Sequence, residues 1–439
     1  LFVLFPFVIF VSFALFVSLF CSSPQGLCMA KLWFLSAPLF SHTDWGGFLK
    51  TAQALQARGH EVTWVSERPL AGAIGAAGLP FAEIAHSGWL WPPPPPPDFS
   101  TLAPAEAVML RYRRALDTWL SEDLVALAVD DLLALARERG APDALVTDPF
   151  LSASALAAEA LERPLAVCGW IAQAELNEDS LFPVQRALAG DSVARVERLR
   201  ARFGLRGLNF APGPTPSVLS PHLHISYFNA FWYQADTDTL LPQTQFVGGA
   251  ADTPVTPAPD WLTAIPDDQP LAFITLGTVF TGDLGFHSWA AQAAAREGLL
   301  PVVALGWNPI APADKATLKA ALPPGTRLVN FAPLAQVLPR CRLIIHHGGM
   351  GTTHAAVLQG LPQIAVPHAA DQRGNARRVA QARVGLNLTA HDVRRGGLAA
   401  GVRALLAGEG VQAQARRLSA DFAALGGAER AAELIEKVI

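Results

Sequence analysis

Residues 343–372, LIIHHGGMGTTHAAVLQGLPQIAVPHAADQ, restrict the fold more than any other stretch. An apolar run of strand length (Leu343, Ile344, Ile345) leads into a glycine-rich turn (Gly348, Gly349, Gly351) and then into the start of a helix. A second apolar strand is expected over 363–366, stopped by Pro367. Such a turn points backbone N–H groups and a helix N-terminus at one spot, which suits phosphate. His347, just before the turn, adds a donor, and a charge if protonated. Asp371 and Gln372 lie past the carboxyl end of the next strand, where doubly wound sheets bind ligands. A phosphate cradle followed by a carboxylate–amide pair suits a nucleotide sugar: the cradle for the diphosphate, the pair for sugar hydroxyls.

The same strand–turn–helix grammar runs through the rest of the chain from Met29. Strands are expected over 32–35, 61–66, 144–147 and 165–168, with helices over 48–58, 106–136 and 152–161. The pattern restarts with strands over 271–276, 301–305, 327–331 and 343–346. Strands alternating with helices imply parallel sheets, hence an α/β protein with two Rossmann-like, doubly wound domains facing a cleft. Residues 29–246 form the first, 271–427 the second, and the Pro-, Asp-, Thr- and Gly-rich 247–270 reads as a linker.

At these residues the chain resembles the UDP-glycosyltransferases of GT-B fold, in motif order as well as content. The resemblance makes the first domain acceptor-binding and the second nucleotide-sugar-binding, with residues 428–439 a helix that crosses back onto the first domain. It implies that His347 contacts a phosphate, that Gly349, Gly351 and Thr352 belong to the phosphate-binding turn, and that Asp371 and Gln372 bind the sugar. Phe331, with Ala332, stands where the family stacks a tryptophan on the base, and Leu276-Gly277-Thr278 is similar to a turn facing the diphosphate, which assigns Thr278 to that site. Plant members carry a ribose-binding Glu at Ala355 and a Gln at Leu334. The H-H-G-G-x-G-T-T form with Ala is similar to the bacterial and sterol-glycosylating branches instead, and the donor implied is a UDP- or dTDP-sugar.

In the first half, Ser41-His42-Thr43-Asp44 follows the first strand. Transfer to an alcohol needs a base, and a histidine near pKa 6.5 suits that at neutral pH. The resemblance places the family's general base on His42 and its histidine-pairing carboxylate on Asp148, at the end of the strand over 144–147. The downstream R-G-H-E-V-T at 58–63 matches the family and fixes the register. Asp44 stands as a substitute base, because some antibiotic-glycosylating relatives use an Asp in this loop. Asp143 begins its strand and so falls at the opposite sheet edge, where it is structural.

Bulk properties remove other classes. With a formal net charge of −4 and no basic block, nucleic acid is not a primary partner. The cysteines (21, 28, 168, 341) have no zinc or disulfide spacing, and His346, His347 and His354 fit no common metal pattern, so neither metal nor cofactor is expected. A cytoplasmic setting is the simplest account, with membrane contact not required. The apolar residues 1–28 carry no signal-peptide features, and Met29 reads as the translation start, the rival being an N-terminal membrane anchor.

The proline run at 92–97, with Trp89, Trp91 and Phe99, reads as a polyproline II surface loop or a lining of the acceptor entrance. Tyr227, Phe228, Phe231, Trp232 and Tyr233 are more readily core than pocket. The expected activity is therefore inverting, metal-independent transfer of a hexosyl group from a UDP- or dTDP-sugar to a hydroxyl of a hydrophobic small molecule. Its alternatives are a nucleotide-sugar epimerase of the same fold and a non-catalytic nucleotide-sugar binder.

Overall fold

The computed structural model describes residues 29–439 apart from 44–45, 96, 99–100, 170–182, 212–216, 255, 278–283, 307–309 and 369–371. For residues 41, 42, 183, 185 and 284 it describes the backbone alone. The tail at 1–28, Asp44, Phe99, Thr278 and Asp371 thus lie outside the described residues.

The first sheet contains β1 (Lys31–Leu35), β2 (Glu61–Ser66), β3 (Phe81–Glu83), β4 (Ala144–Thr147), β5 (Leu165–Cys168), β6 (Leu223–Ser226) and β7 (Thr244–Phe246). They are parallel in the order β3-β2-β1-β4-β5-β6-β7. The second sheet contains β8 (Leu271–Thr275), β9 (Leu300–Ala304), β10 (Arg327–Val329), β11 (Cys341–His346), β12 (Gln363–Ala365) and β13 (Gly385–Asn387), parallel in the order β10-β9-β8-β11-β12-β13. Helices cover both faces, which is why the central strands read as unbroken apolar runs rather than as alternations. Along β1, Trp33 and Leu35 enter one core while Leu32 and Phe34 enter the other.

In each sheet the strand order reverses direction beside the first strand of its domain. The carboxyl ends of β1 and β4 are therefore neighbours, with Leu35 beside Thr147, and so are those of β8 and β11, with Thr275 beside His346. Such switch points open a crevice at the strand ends.

Three expectations need revision. The helix expected over 106–136 is two, Pro104–Leu120 and Glu122–Arg139, broken where Ser121 adopts φ −66, ψ 116. Glu122 and Asp123 then occupy the first turn of the second helix, where carboxylates favour an N-terminus. The strand expected over 327–331 ends at Val329 and leaves Phe331 beyond it. The helix expected over 428–439 spans Gly427–Ile435. β3, β6, β7 and β13, of three or four residues each, are too short to show a period in the sequence.

The Gly427–Ile435 helix packs on the first domain, with Ala431, Ala432, Leu434 and Ile435 in the same core as Phe34 and Trp64. Arg58 donates from Nε and Nη2 to the two carboxylate oxygens of Glu436 at 2.8 and 2.7 Å, and His60 Nε2 donates to the same carboxylate at 3.0 Å. Hydrogen bonding from Arg58 pulls the Glu436 carboxyl down to about 2. Glu436→Gln is expected to cost about 1–3 kcal/mol, seen as a lowered Tm. An unchanged melt would show that apolar packing alone holds this helix.

The aromatic segment is core, as expected, and that core joins the two domains. Phe228, Trp232 and Tyr233 pack with Met350, Val357, Val379, Leu418 and Phe422, while Phe231 is exposed. Among the described residues no helix is long and apolar enough to cross a membrane.

Candidate active site

On the second domain, β11 delivers two histidines with different fates. His346 is fully buried. Gly348 N–H donates to its Nδ1 at 3.1 Å, so Nε2 carries the proton and donates to Gln363 Oε1 at 3.0 Å. Burial lowers its pKa to about 4, and the ring braces the turn from behind. His347 faces the switch point between two glycines. A methyl group on Gly349 would lie 2.3 Å from its Nε2, and one on Gly277 2.6 Å from its Cε1. Its Nδ1 has no hydrogen-bond partner among the described residues. Burial, with smaller contributions from His346 and His368, lowers its pKa to about 3. His347 therefore stands neutral before a ligand arrives and offers a hydrogen bond rather than a charge.

The helix Met350–Leu358 starts at Gly349 with no side chain capping it. The first-turn amides of a helix have no partners within it, and Gly351 opens on free space, with nothing near a would-be Cβ. Thr352 is half-buried on the same turn. From the next strand end, Gln372 backs onto the turn: its carbonyl would lie 2.8 Å from a Cβ on Gly348. Its side-chain oxygen accepts from His368 N–H at 2.9 Å, and Asn375 donates to Gly348 O at 2.9 Å. Phe331 is 53% exposed past the end of β10, while its neighbour Ala332 is buried. Leu334 and Ala355 are both partly buried against the core that holds Ala332.

On the first domain, Asp148 follows β4 directly and is fully buried, its Oδ1 accepting from Phe150 N–H at 2.7 Å. The loop after the adjacent β1 forms a short helix, Phe40–Thr43, which carries the backbone of His42. Asp143, at the other end of β4, accepts from Lys31 N–H at 2.7 Å in a structural bond.

The two halves meet through this loop. Gly46 lies against the ring of His354 on the Met350–Leu358 helix, so close that a Cβ would come within 2.8 Å of it. His354 Nε2 donates to the carbonyl of Tyr227 at 2.8 Å, and the Tyr227 hydroxyl shares a 2.6 Å bond with Thr51. Burial lowers the His354 pKa to about 4 and keeps it neutral. The loop of His42 and the cradle helix are thereby fastened together.

The chain is similar to several known proteins. Residues 309–438 match the erythromycin biosynthesis protein CIII-like C-terminal domain family. An L-demethylnoviosyl transferase of Streptomyces niveus is 34% identical over 234 residues, covering 49% of this chain and 59% of that protein. An aklavinone 7-beta-L-rhodosaminyltransferase of Streptomyces galilaeus is 29% identical over 421 residues, covering 85% of this chain and 88% of that protein. The chain is thus similar over most of its length to antibiotic-glycosylating transferases. The crystal structure of the glycotransferase of kitacinnamycin superposes with a TM-score of 0.71 at 21% identity, covering 94% of this chain and 99% of that one, and shares the GT-B fold.

Of the residues singled out in the sequence, His347, Gly349, Gly351, Thr352 and Gln372 gather at one switch point. Asp148 and the short helix that carries the backbone of His42 follow the neighbouring strands β4 and β1, and Phe331 lies past the end of the edge strand β10. Thr278, Asp371 and the side chain of His42 are not among the parts described. Sequence reading missed Gly277 as the second wall of the His347 slot, Asn375 as a brace, and His354 as the interdomain latch. Only Gly277 carried a signal, in the Leu276-Gly277-Thr278 turn.

Gly349→Ala is expected to push the His347 ring out of its slot and weaken nucleoside diphosphate binding by about tenfold or more, at about 1.4 kcal/mol per tenfold. Calorimetry with dTDP would read this, and wild-type affinity would mean that the ring position is irrelevant to binding.

Proposed function

We propose that this glycosyltransferase moves a hexosyl group from a dTDP- or UDP-sugar to a hydroxyl of a hydrophobic small molecule, with inversion and without a metal. The observation that supports this most is the contact of Gly46, in the segment after β1, with His354 on the helix that opens at the glycine turn. His42 takes the proton from the acceptor hydroxyl, and buried Asp148 orients the imidazole and stabilises it once charged. The acceptor oxygen bonds to the anomeric carbon as the bond from that carbon to the diphosphate breaks. The amides of Met350, Gly351 and Thr352, with His347 and Thr278, stabilise the charge on the departing diphosphate. Asp371 and Gln372 hold the sugar, and Phe331 stacks on the base.

Of the two nucleotides we favour dTDP. Ala355, where plant relatives carry a ribose-binding Glu, offers no polar side-chain group to a 2′-hydroxyl, and neither does Leu334, where they carry a Gln. A hydroxyl buried without a hydrogen bond is penalised.

The test is a screen of acceptors with dTDP- and UDP-glucose, scored by mass spectrometry. Glycosylated product is the expected result. Donor conversion without any acceptor would identify an epimerase, and donor binding without turnover would identify a binding protein. Within the screen, His347→Ala should weaken binding of free dTDP, whereas Asp371→Ala should spare it and impair only sugar-dependent steps.

A further inference from the structure

The helix Gln372–Gln381 carries Gln372 at its start and Asn375, which braces the cradle turn through Gly348 O, one turn later. The next turn carries Arg377 and Arg378, and both reach Asp236, in the segment of the first domain between β6 and β7. Arg378 donates from Nε at 3.0 Å and Nη2 at 2.7 Å to one carboxylate oxygen, and Arg377 donates from Nη2 at 2.7 Å to the other. The Arg378 guanidinium also lies 4.5 Å from the ring centre of Tyr233, which belongs to the interdomain core. The Arg378 and Asp236 side chains are only 7% and 11% exposed. A desolvated, multiply bonded ion pair of this kind fixes geometry well, because losing one partner strands the other charge away from water.

We propose that Asp236 is a positioning residue for glycosyl transfer. Through Arg378 and Arg377 it holds the helix that carries Gln372 and supports the cradle in register with the first domain, and so sets how the bound sugar faces the base. The idea rests on the transfer reading above. Nucleotide diphosphate binding uses second-domain groups alone, so it is insensitive to this clamp. Alignment of sugar with acceptor depends on both domains, and small misplacements there are costly.

The experiment compares wild type with Asp236→Asn, and with Arg377→Ala as a milder change on the exposed side. Steady-state kinetics, dTDP titration and amide hydrogen exchange are read on each. Asp236→Asn is expected to lower kcat for transfer by about 10- to 100-fold and to raise the share of donor lost to hydrolysis. The dTDP Kd should stay within about twofold, and exchange over 372–381 should quicken. Arg377→Ala should shift each readout the same way but less, and it carries the test if the Asn variant does not fold. A merely structural role would lower Tm while leaving kcat per folded molecule and the transfer-to-hydrolysis ratio at wild-type values, and that result overturns the proposal. If wild type transfers to no acceptor, the functional reading fails, and hydrogen exchange alone decides the coupling: unchanged exchange over 372–381 in both variants refutes it.

Discussion

His42→Ala should lower turnover on an alkyl alcohol by about 10²–10⁴-fold, the usual worth of a positioned general base. Nucleotide affinity should stay near wild type. The expectation rests on the order of the first sheet: β1 and β4 are neighbours, and His42 and Asp148 lie in the segments that follow their carboxyl ends. Asp148→Asn keeps the shape and the bond from Phe150 N–H but removes the charge that stabilises a protonated His42, so a smaller loss is expected. The double mutant should be little worse than His42→Ala, because groups acting as one unit are not additive. A phenolic acceptor, more acidic than an alcohol, should depend less on the base. Wild-type turnover of the alcohol by His42→Ala, with loss in Asp44→Ala, would transfer the role to Asp44.

Stability should collapse in mild acid. Burial lowers the pKa of His224, His346 and His354 to about 4 and that of His347 to about 3, against an ordinary value of 6.5. Between pH 6.5 and about 4 the unfolded chain binds protons at these four sites while the folded chain does not, so stability falls as pH falls. Each site contributes up to about 1.4 kcal/mol per pH unit. Across two units the four together approach about 10 kcal/mol, comparable to the whole stability of a typical fold. Glu436 acts outside this window: its depressed pKa gives stability that is present above 4.5 and lost only as pH falls towards 2. Thermal melts between pH 7.5 and 5 should show a steep fall in Tm, partly relieved in His224→Gln, which replaces a buried histidine away from both switch points. A flat Tm over that range would mean that these rings gain protons without unfolding.

Much of this was legible in the sequence. Runs such as 32–35, 144–146, 271–274 and 343–345 are apolar without a break, which identifies central parallel strands without any contact information. The glycine turn after β11 declares itself because few other sequences can bring a helix N-terminus so close behind a strand. Local spacing therefore determined the α/β architecture and nominated His347 and Gln372, while the family resemblance nominated His42 and Asp148.

Other features depended on contacts distant in sequence. Short edge strands such as β3 and β13 have too few residues to show a period, and Ser121 breaks a helix that apolar periodicity alone would continue. Nothing in the spacing of His346 and His347 says which ring is buried behind the turn and which faces the crevice; strand register and the Gly277–Gly349 slot decide it. The bond of His354 to Tyr227 spans 127 positions and that of Arg378 to Asp236 spans 142. The sequence by itself determined the strands, the turn and the chemistry of the side chains. Only the tertiary structure decided which of them meet, because strand order and interdomain packing depend on the joint burial of surfaces that no local window contains.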